Sequence, residues 1–476
     1  MSNSLLPSGW SLPTLAMVAD VSSGIGFPNE FQGNSTGDLP FYKVSDVSFA
    51  VKETGGILCR ANHYVSYAIA VRLKGRPLRV GTTVFAKIGE AVHLNRRAFV
   101  STPCLVDNNV MAVKARFDSM DRYIHYFLKT VELGEYARST TVPSLRKGDV
   151  EALLLPLAPE AEQTRIANQL DTLLARVQAC NDRFDAIPAL LKRFRQTVLD
   201  AATSGSLTDD WRQSESTSGT QAPAAHQLSS TELPFGWKQY QLRELVDCFD
   251  NARIPIKASE RAKRQGAFSY YGAFGIIDSI DDFLFDGAYL LLAEDGKNLE
   301  SRDRPIALIA NGKFWVNNHA HVIRPKTALD IRFLLHWLNS KSCDISDLLT
   351  GIDQIKLTRG AMDRIPVPLP PATEQAEIVR RVEALFALAD RIEARCAAAR
   401  TQAQRLTPLV LAKAFRGELV SQDLNDEPAS ALLARIATPN AAVAGKNKQK
   451  TPVARNKRAR KAVNLSAISN SVVLRR

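Results

Sequence analysis

Apolar residues recur with alternating steps of four and three along two stretches of the chain. The first runs Ile166, Leu170, Leu173, Val177, Cys180, Phe184, Ile187, Leu191, Phe194, Val198. The second runs Ile378, Val382, Leu385, Ala389, Ile392, Cys396, Ala399, Ala403, Leu406, Val410. A 3.5-residue period held this long predicts two helices that pair along a seam, in preference to two helices packed separately on globular cores. Pro159 and Pro371 suit a first helical turn, where the missing N–H has no partner to lose. Glu160, Glu162 and Glu374 follow, favourable near a helix N-terminus, and Gly205 and Gly417 supply left-handed exits. About 45 residues lie between entry and exit, roughly 65 Å of helix. Pro188 and Pro408 fall inside at non-equivalent positions. Each removes one backbone bond and predicts a bend, not the end of the element.

The two stretches are copies. "PLAPEAEQTRIANQLDTL" at 156–173 and "PLPPATEQAEIVRRVEAL" at 368–385 stand 212 residues apart. The same offset aligns Leu145 with Leu357, Glu162-Gln163 with Glu374-Gln375, and Gly205 with Gly417. No insertion interrupts it, as expected where length itself matters. A second pair, "LPSGW" at 6–10 and "LPFGW" at 233–237, is offset by 227, so each half is a variable block followed by a length-locked one. Residues 205–232, rich in Ser, Thr, Gly and Pro, read as a linker. A flexible chain of about 30 residues spans near 30 Å, which suits helices running antiparallel with pseudo-twofold symmetry. The boundaries expected are a block at 1–158, a helix at 159–204, a linker at 205–232, a block at 233–370, a helix at 371–416, a closing segment at 417–440 and a tail at 441–476.

Both variable blocks read as mixed α/β. "TTVFAKIG" and "AFVSTPCLVDNNVMAVKA" predict strands in the first, and "MDRYIHYFLKTV" a helix through Ile124, Phe127, Leu128 and Val131. In the second, "AYLLLAEDG" and "PIALIANGKFWVNNHAHVIRP" predict strands, and "DIRFLLHWLNS" a helix. An Asn-Asn pair, Asn108-Asn109 and Asn317-Asn318, precedes the helix in each, while the loops differ. A common scaffold with divergent loops suits two readers tuned to different targets. The Gly9-Trp10 and Gly236-Trp237 pairs read as turn-and-core anchors.

Composition narrows the class. The 45% hydrophobic content is ordinary for a globular protein, and no run of 18 apolar residues spans a membrane. The start lacks a signal peptide, and the six cysteines lie at least 45 residues apart, neither a disulfide framework nor a zinc ribbon. A reducing cytoplasm is the expectation. The net charge of +12 is misleading: residues 441–476 hold ten Lys or Arg and no acid, leaving 51 basic against 49 acidic residues elsewhere. The tail reads as a disordered basic extension. P-loop, zincin, dinucleotide and serine-hydrolase motifs are absent. His319 and His321 lack the further ligands of a metal site, and no metal or cofactor is expected in this chain. Candidate DNA contacts are the loop residues Arg261, Lys263, Arg264 and Gln265 with Tyr270 and Tyr271, and in the first block Lys43, Lys87, Arg96 and Arg97. Arg and Lys suit guanine edges or phosphates, and Gln suits adenine.

These features resemble the specificity subunits of type I restriction-modification systems. "PLPPATEQAEIVRRVEALFALADRIE" is similar to that family's conserved region, "FSYYGAFGIIDSIDDFLFDGAYLLLAEDG" and "WVNNHAHV" to segments of its target recognition domains, and "AFRGELVSQDLNDEPASALLARI" to its C-terminal ending. The resemblance covers about residues 5–437; the helix prolines and the basic tail depart from it. It implies an α/β fold of two target recognition domains separated by a long antiparallel two-helix coiled coil, with no catalysis of its own. Each domain would read one half of a bipartite site in double-stranded DNA, and the helices would set the spacer. Methylation subunits, two of them, would dock on the helices and hold S-adenosylmethionine; restriction subunits would use ATP and Mg. The competing expectations are an enzyme with unfamiliar motifs and a coiled-coil scaffold whose end domains bind proteins.

Overall fold

A computed structural model describes residues 6–138, 142–217, 233–326 and 328–438; the basic tail lies outside them. The chain divides into two compact units, residues 1–170 with 411–476, and residues 171–410. Among the described residues, no helix is long and apolar enough to cross a membrane.

The repeat is realised as two helices of equal length, Glu160–Thr203 and Ala372–Phe415, each 44 residues. Both continue through their prolines, Pro188 and Pro408. Within the second unit the helices run antiparallel. Arg195 reaches Asp390 at 2.7 Å and Glu393 at 2.9 Å, while Arg400 reaches Asp185 at 2.6 Å. As the chain advances from 185 to 195 on one helix its partners recede from 400 to 390 on the other. The seam is closed unevenly. Leu191, Val198, Ile378, Val382, Ala389 and Ala403 are buried, but Cys180, Phe194, Ile392 and Leu406 are exposed. A pair of helices covers each seam residue from one side only, so seam positions can stay partly open to solvent.

Each variable block has a main sheet of its own, with the same strand arrangement. In the first unit its strand order is Ala19–Ser23, Val110–Ala115, Thr83–Ala86, Ala98–Val100 and Ile57–Leu58. In the second it is Val246–Cys248, Ala320–Pro325, Tyr289–Ala293 and Ala307–Ala310. Registers match as well: Ala86 opposes Val110 where Ala293 opposes Ala320, and the bridges Ile88–Ser144 and Asp295–Lys356 close equivalent loops. The stretch 98–115 is three short strands, and so is 305–325, because Gly312 and the Asx turns break them. The helices Asp121–Thr130 and Ile331–Asn339 follow as expected, burying Ile124, Phe127 and Leu128, and Phe333, Leu334, Trp337 and Leu338. A smaller sheet accompanies each, built on a parallel pair: Phe41 with Leu105, and Tyr270 with Trp315.

The short repeated motifs hold each unit together. In the first, Trp10 donates its indole N–H to Glu162 at 3.0 Å, Gly9 lies against Pro159, and Pro7 packs over Gly417. In the second, Trp237 donates to Glu374 at 2.9 Å, Gly236 lies against Pro371, and Pro234 packs over Gly205. Each "LP-x-GW" thus touches the start of one long helix and the end of the other. Gly205 and Gly417 have φ of +81° and +73°, and a Cβ on them would come within 2.5 and 2.4 Å of the proline rings. Part of the expected linker is ordered: residues Ser206–Thr208 and Asp209–Thr217 are helical. Arg212 there binds Glu374, and Thr208 donates to the same carboxylate at 2.7 Å.

Candidate nucleic-acid interface

In the first unit, Lys43 caps the helix Val44–Glu53 and turns its ammonium to Gln32 over the Phe27 ring. Lys87 leaves the end of the strand Thr83–Ala86 and donates to Ser23 at 3.1 Å. Arg96 is half-buried. Arg97 requires a correction. Its side chain is 2% exposed and donates to the carbonyls of Leu128 and Val131 at 3.0 and 2.6 Å. It closes the C-terminal end of the helix Asp121–Thr130, where orphan carbonyls favour a cation, and does not reach solvent. Burial lowers its guanidinium to about 10.

The second unit corrects a further expectation. Tyr270 is buried, and its hydroxyl accepts from the Ile256 N–H at 3.0 Å. Arg261 is stacked 4.6 Å over that ring, paired with Asp278 at 2.9 Å and donating to the Ile256 carbonyl. Arg264 lies over Trp315 and pairs with Asp281. Gln265 spans the Arg261 carbonyl, Asp278 and Ser279. Tyr271 rests edge-on against Phe314. The segment 257–265 is therefore braced on the strand Gly275–Ile280 and its neighbour Asp281, and of the candidate contacts in it Lys263 and Gln265 are exposed while Arg261 and Arg264 are half-buried.

Matched registers expose what differs between the units. Ser23 opposes Met111, and the equivalent place holds Asp250 beside His321. Lys87, next after Ala86, is replaced by Glu294, next after Ala293. His321 meets Asp250 through Nδ1 at 2.6 Å and the Leu357 carbonyl through Nε2 at 2.8 Å. Asp250, Glu294 and His321 lie within mutual reach of one ion. Arg253 takes Glu294 at 2.7 Å and Asp250 at 3.4 Å, and Lys356 takes Glu294 at 3.1 Å, so side-chain cations already occupy those carboxylates. Burial raises both carboxyls, but His321 pulls Asp250, and Arg253 and Lys356 pull Glu294, below their ordinary values. His319 faces a different acid, Asp295, at 2.7 Å, so the two histidines do not act as a pair. Around this cluster the second unit presents exposed Phe274, Ile276 and Ile352 with His319 and Lys356. Phe274 sits against Gly296, where a Cβ would come within 3.0 Å of the ring.

The equivalence of the Asn-Asn pairs is shifted by one. The matching residues are Asp107 and Asn317, whose side-chain oxygens accept from the N–H two residues on, Asn109 and His319, at 2.8 and 2.9 Å. An Asx turn needs only a short side-chain carbonyl, and either residue supplies it. A basic turn at 74–79, "KGRPLR", also faces the surface of the first unit and was not among the sequence candidates. Its signal was three cations around a Gly-Arg-Pro turn.

Comparison with known proteins follows the same division. Residues 234–398 match the family model for the type I restriction modification DNA specificity domain. The type I restriction enzyme EcoDI specificity subunit of Escherichia coli is 29% identical over 94% of this chain and 98% of its own length. The StySPI specificity subunit of Salmonella potsdam is 26% identical with the same coverage, and the EcoKI specificity subunit of Escherichia coli K12 is 25% identical, also over 94% and 98%. The solved HsdS subunit from Thermoanaerobacter tengcongensis shares the fold, at 18% identity and a TM-score of 0.54 over 88% of this chain and 99% of that one. A chain solved for complex assembly and conformational transition of the type I R-M system aligns with a TM-score of 0.56 at 17% identity, over 87% of this chain and all of its own. In fold, in repeat and in end-to-end likeness the observations agree: the chain is similar along nearly its whole length to the specificity subunits of type I restriction-modification systems, and residues 234–398 match that family's DNA specificity domain.

Proposed function

We propose that each variable block reads one half of a bipartite, asymmetric site in double-stranded DNA, and that the antiparallel helices fix the unread spacer between the halves. The observation that supports this most is the pair of matched sheets, each hooked to the long helices by its own Trp–Glu bond, whose equivalent surface positions carry different chemistry. Ser23 and Lys87 in one block stand where Asp250 and Glu294 stand in the other. Donors such as Lys356 and His319, beside the apolar Phe274, Ile276 and Ile352, suit base edges and thymine methyl groups. The chain supplies placement and no chemistry. Two methylation subunits docked on the helices bring S-adenosylmethionine and the pocket for an adenine swung out of the duplex. Restriction subunits add ATP- and Mg-dependent cleavage. Mapping modified adenines in DNA from cells with and without this gene tests the reading. A gapped two-part motif should appear only with the gene, and an ungapped motif, or none with the partner subunits present, would refute it.

A further inference from the structure

The first unit carries a groove of about 370 Å³ beside Ser23, the residue whose counterpart in the second unit is Asp250. One wall is the end of the strand Ala19–Ser23, with Ser22 and Ser23; the other is the turn holding Lys74, Arg76 and Arg79. We infer that this groove grips the phosphate backbone of duplex DNA through Lys74, Arg76 and Arg79, a step that rests on the DNA-reading function proposed above.

Three observations carry it. The cations are exposed and poorly neutralised. Among the described residues no carboxylate pairs with Lys74 or Arg76, and Arg79 reaches only Asp118, at 3.9 Å with both side chains mostly in water, a pairing of little strength. The groove's other cation, Lys114, is spent on Asp118 and Asp121, and its one acid, Asp20, lies 3.9 Å from Arg116. The walls are also preformed. Lys74 holds a φ of +54°, and Gly75 is pressed on the floor, where a Cβ would come within 2.8 Å of Ile25 and 2.9 Å of Leu105. Gly24 opposite is tighter still: a Cβ would lie 2.0 Å from the Asp107 carbonyl. Lys87 donates to Ser23, so a fourth cation borders the groove and the Ser23 hydroxyl proton is left for an incoming acceptor. A rigid site with cations and hydroxyls facing inward suits phosphate oxygens, which fix register without reading sequence.

The second unit supplies the contrast. At the equivalent place Asp250 and Glu294 replace Ser23 and Lys87, and Arg253 and His321 fill the space between them. There Arg253 and Lys356 are spent on those carboxylates, so that surface offers a phosphate less uncompensated positive charge than the groove, and the backbone is gripped unequally at the two half-sites.

The test uses the complex of the full chain with its methylation partner and a duplex bearing the gapped motif found by adenine mapping. Affinity is measured across a salt series for wild type, Arg76→Ala/Arg79→Ala, Arg76→Lys/Arg79→Lys, and the control Lys52→Ala/Arg60→Ala, which removes two exposed charges outside the groove. Each lost phosphate contact lowers the slope of log K against log salt by about 0.9, so the alanine pair should flatten it by about 2 while the preferred motif stays unchanged. The lysine pair should keep the slope, and so should the control. An unaltered slope in the alanine pair, or an equal drop in the control, overturns the inference. If the alanine pair fails to fold, the lysine pair decides, and a flattened slope there overturns it as well. A wild-type complex without preference for the motif overturns the DNA-reading function itself.

Discussion

Glu162 and Glu374 occupy the same place in the repeat, yet replacing each with glutamine should have unequal consequences. Both are 1% exposed and each accepts an indole N–H, from Trp10 and Trp237. Glu374 has a second oxygen fully engaged, by Thr208 at 2.7 Å and by Arg212, whose side chain is 15% exposed. The equivalent positions in the first unit, 212 residues on, are Val420 and Leu424, which offer no donor. The second oxygen of Glu162 accordingly has no partner among the described residues, and burial holds its carboxyl above the ordinary range. Hydrogen bonds to charged groups contribute about 1.5–3 kcal/mol each, so Glu374→Gln, which strands Arg212 and turns an amide donor towards other donors, should cost roughly 3 kcal/mol. Glu162→Gln loses one charge-assisted bond but relieves a desolvated charge, and should stay within about 1 kcal/mol of wild type. A carboxyl raised in the folded state binds its proton more readily there than when unfolded. Its stabilising effect therefore falls as pH rises above the ordinary value of 4.5, and Glu162→Gln should remove that dependence. Hydrogen exchange measured through a denaturant series, on peptides around Trp10 and Trp237, reports each unit separately. Equal losses, or a greater loss in Glu162→Gln, would refute the reasoning.

Three further outcomes follow from the buried groups. His336 packs edge-on against Phe386, and burial lowers its imidazole from 6.5 to about 4. Between those values the unfolded chain binds a proton that the folded one refuses, so stability falls as pH drops through that window, by up to about 3 kcal/mol. His336→Leu should remove this acid sensitivity in denaturant titrations at pH 7.5 and 5; an unchanged pH dependence would contradict it. Arg97→Ala should destabilise the first unit by about 3 kcal/mol by stranding two buried carbonyls, without altering the DNA motif, and a shifted motif with unchanged stability would restore it as a contact. Gly205→Ala and Gly417→Ala should each cost more than about 1 kcal/mol, because a Cβ meets both a positive φ and a proline ring; thermal melts no lower than wild type would exclude the clash.

Much of the scaffold was legible because it rests on local rules. The 4-3 seam, the first-turn prolines and the exit glycines set both long helices, and the repeat located the Trp–Glu hooks, although sequence alone did not show that Trp10 meets Glu162. The order in residues 206–217 was hidden. Their composition reads as linker, and the anchors that tie them to the second long helix, Glu374 for Arg212 and Arg381 for Asp210, lie more than 160 residues away in the chain. Sites were less legible for the same reason. Arg97 and Tyr270 look like surface donors in a string, but the tertiary fold buries them against carbonyls and an N–H that sequence cannot place. Lys74, Arg76 and Arg79 went unnoticed because their grouping becomes a groove only beside Ser22 and Ser23, some 50 residues away in the chain.

The most direct test of a spacer fixed by paired helices removes one heptad from each, residues 180–186 and 399–405, which face each other in the register set by Arg195–Asp390 and Arg400–Asp185. Seven residues at 1.5 Å shorten the pair by about 10 Å, on the order of three base pairs at 3.4 Å each. Adenine mapping in cells carrying this variant and its partner subunits should return both original half-sites with a changed spacer. An unchanged spacer, or an altered half-site, would contradict the account.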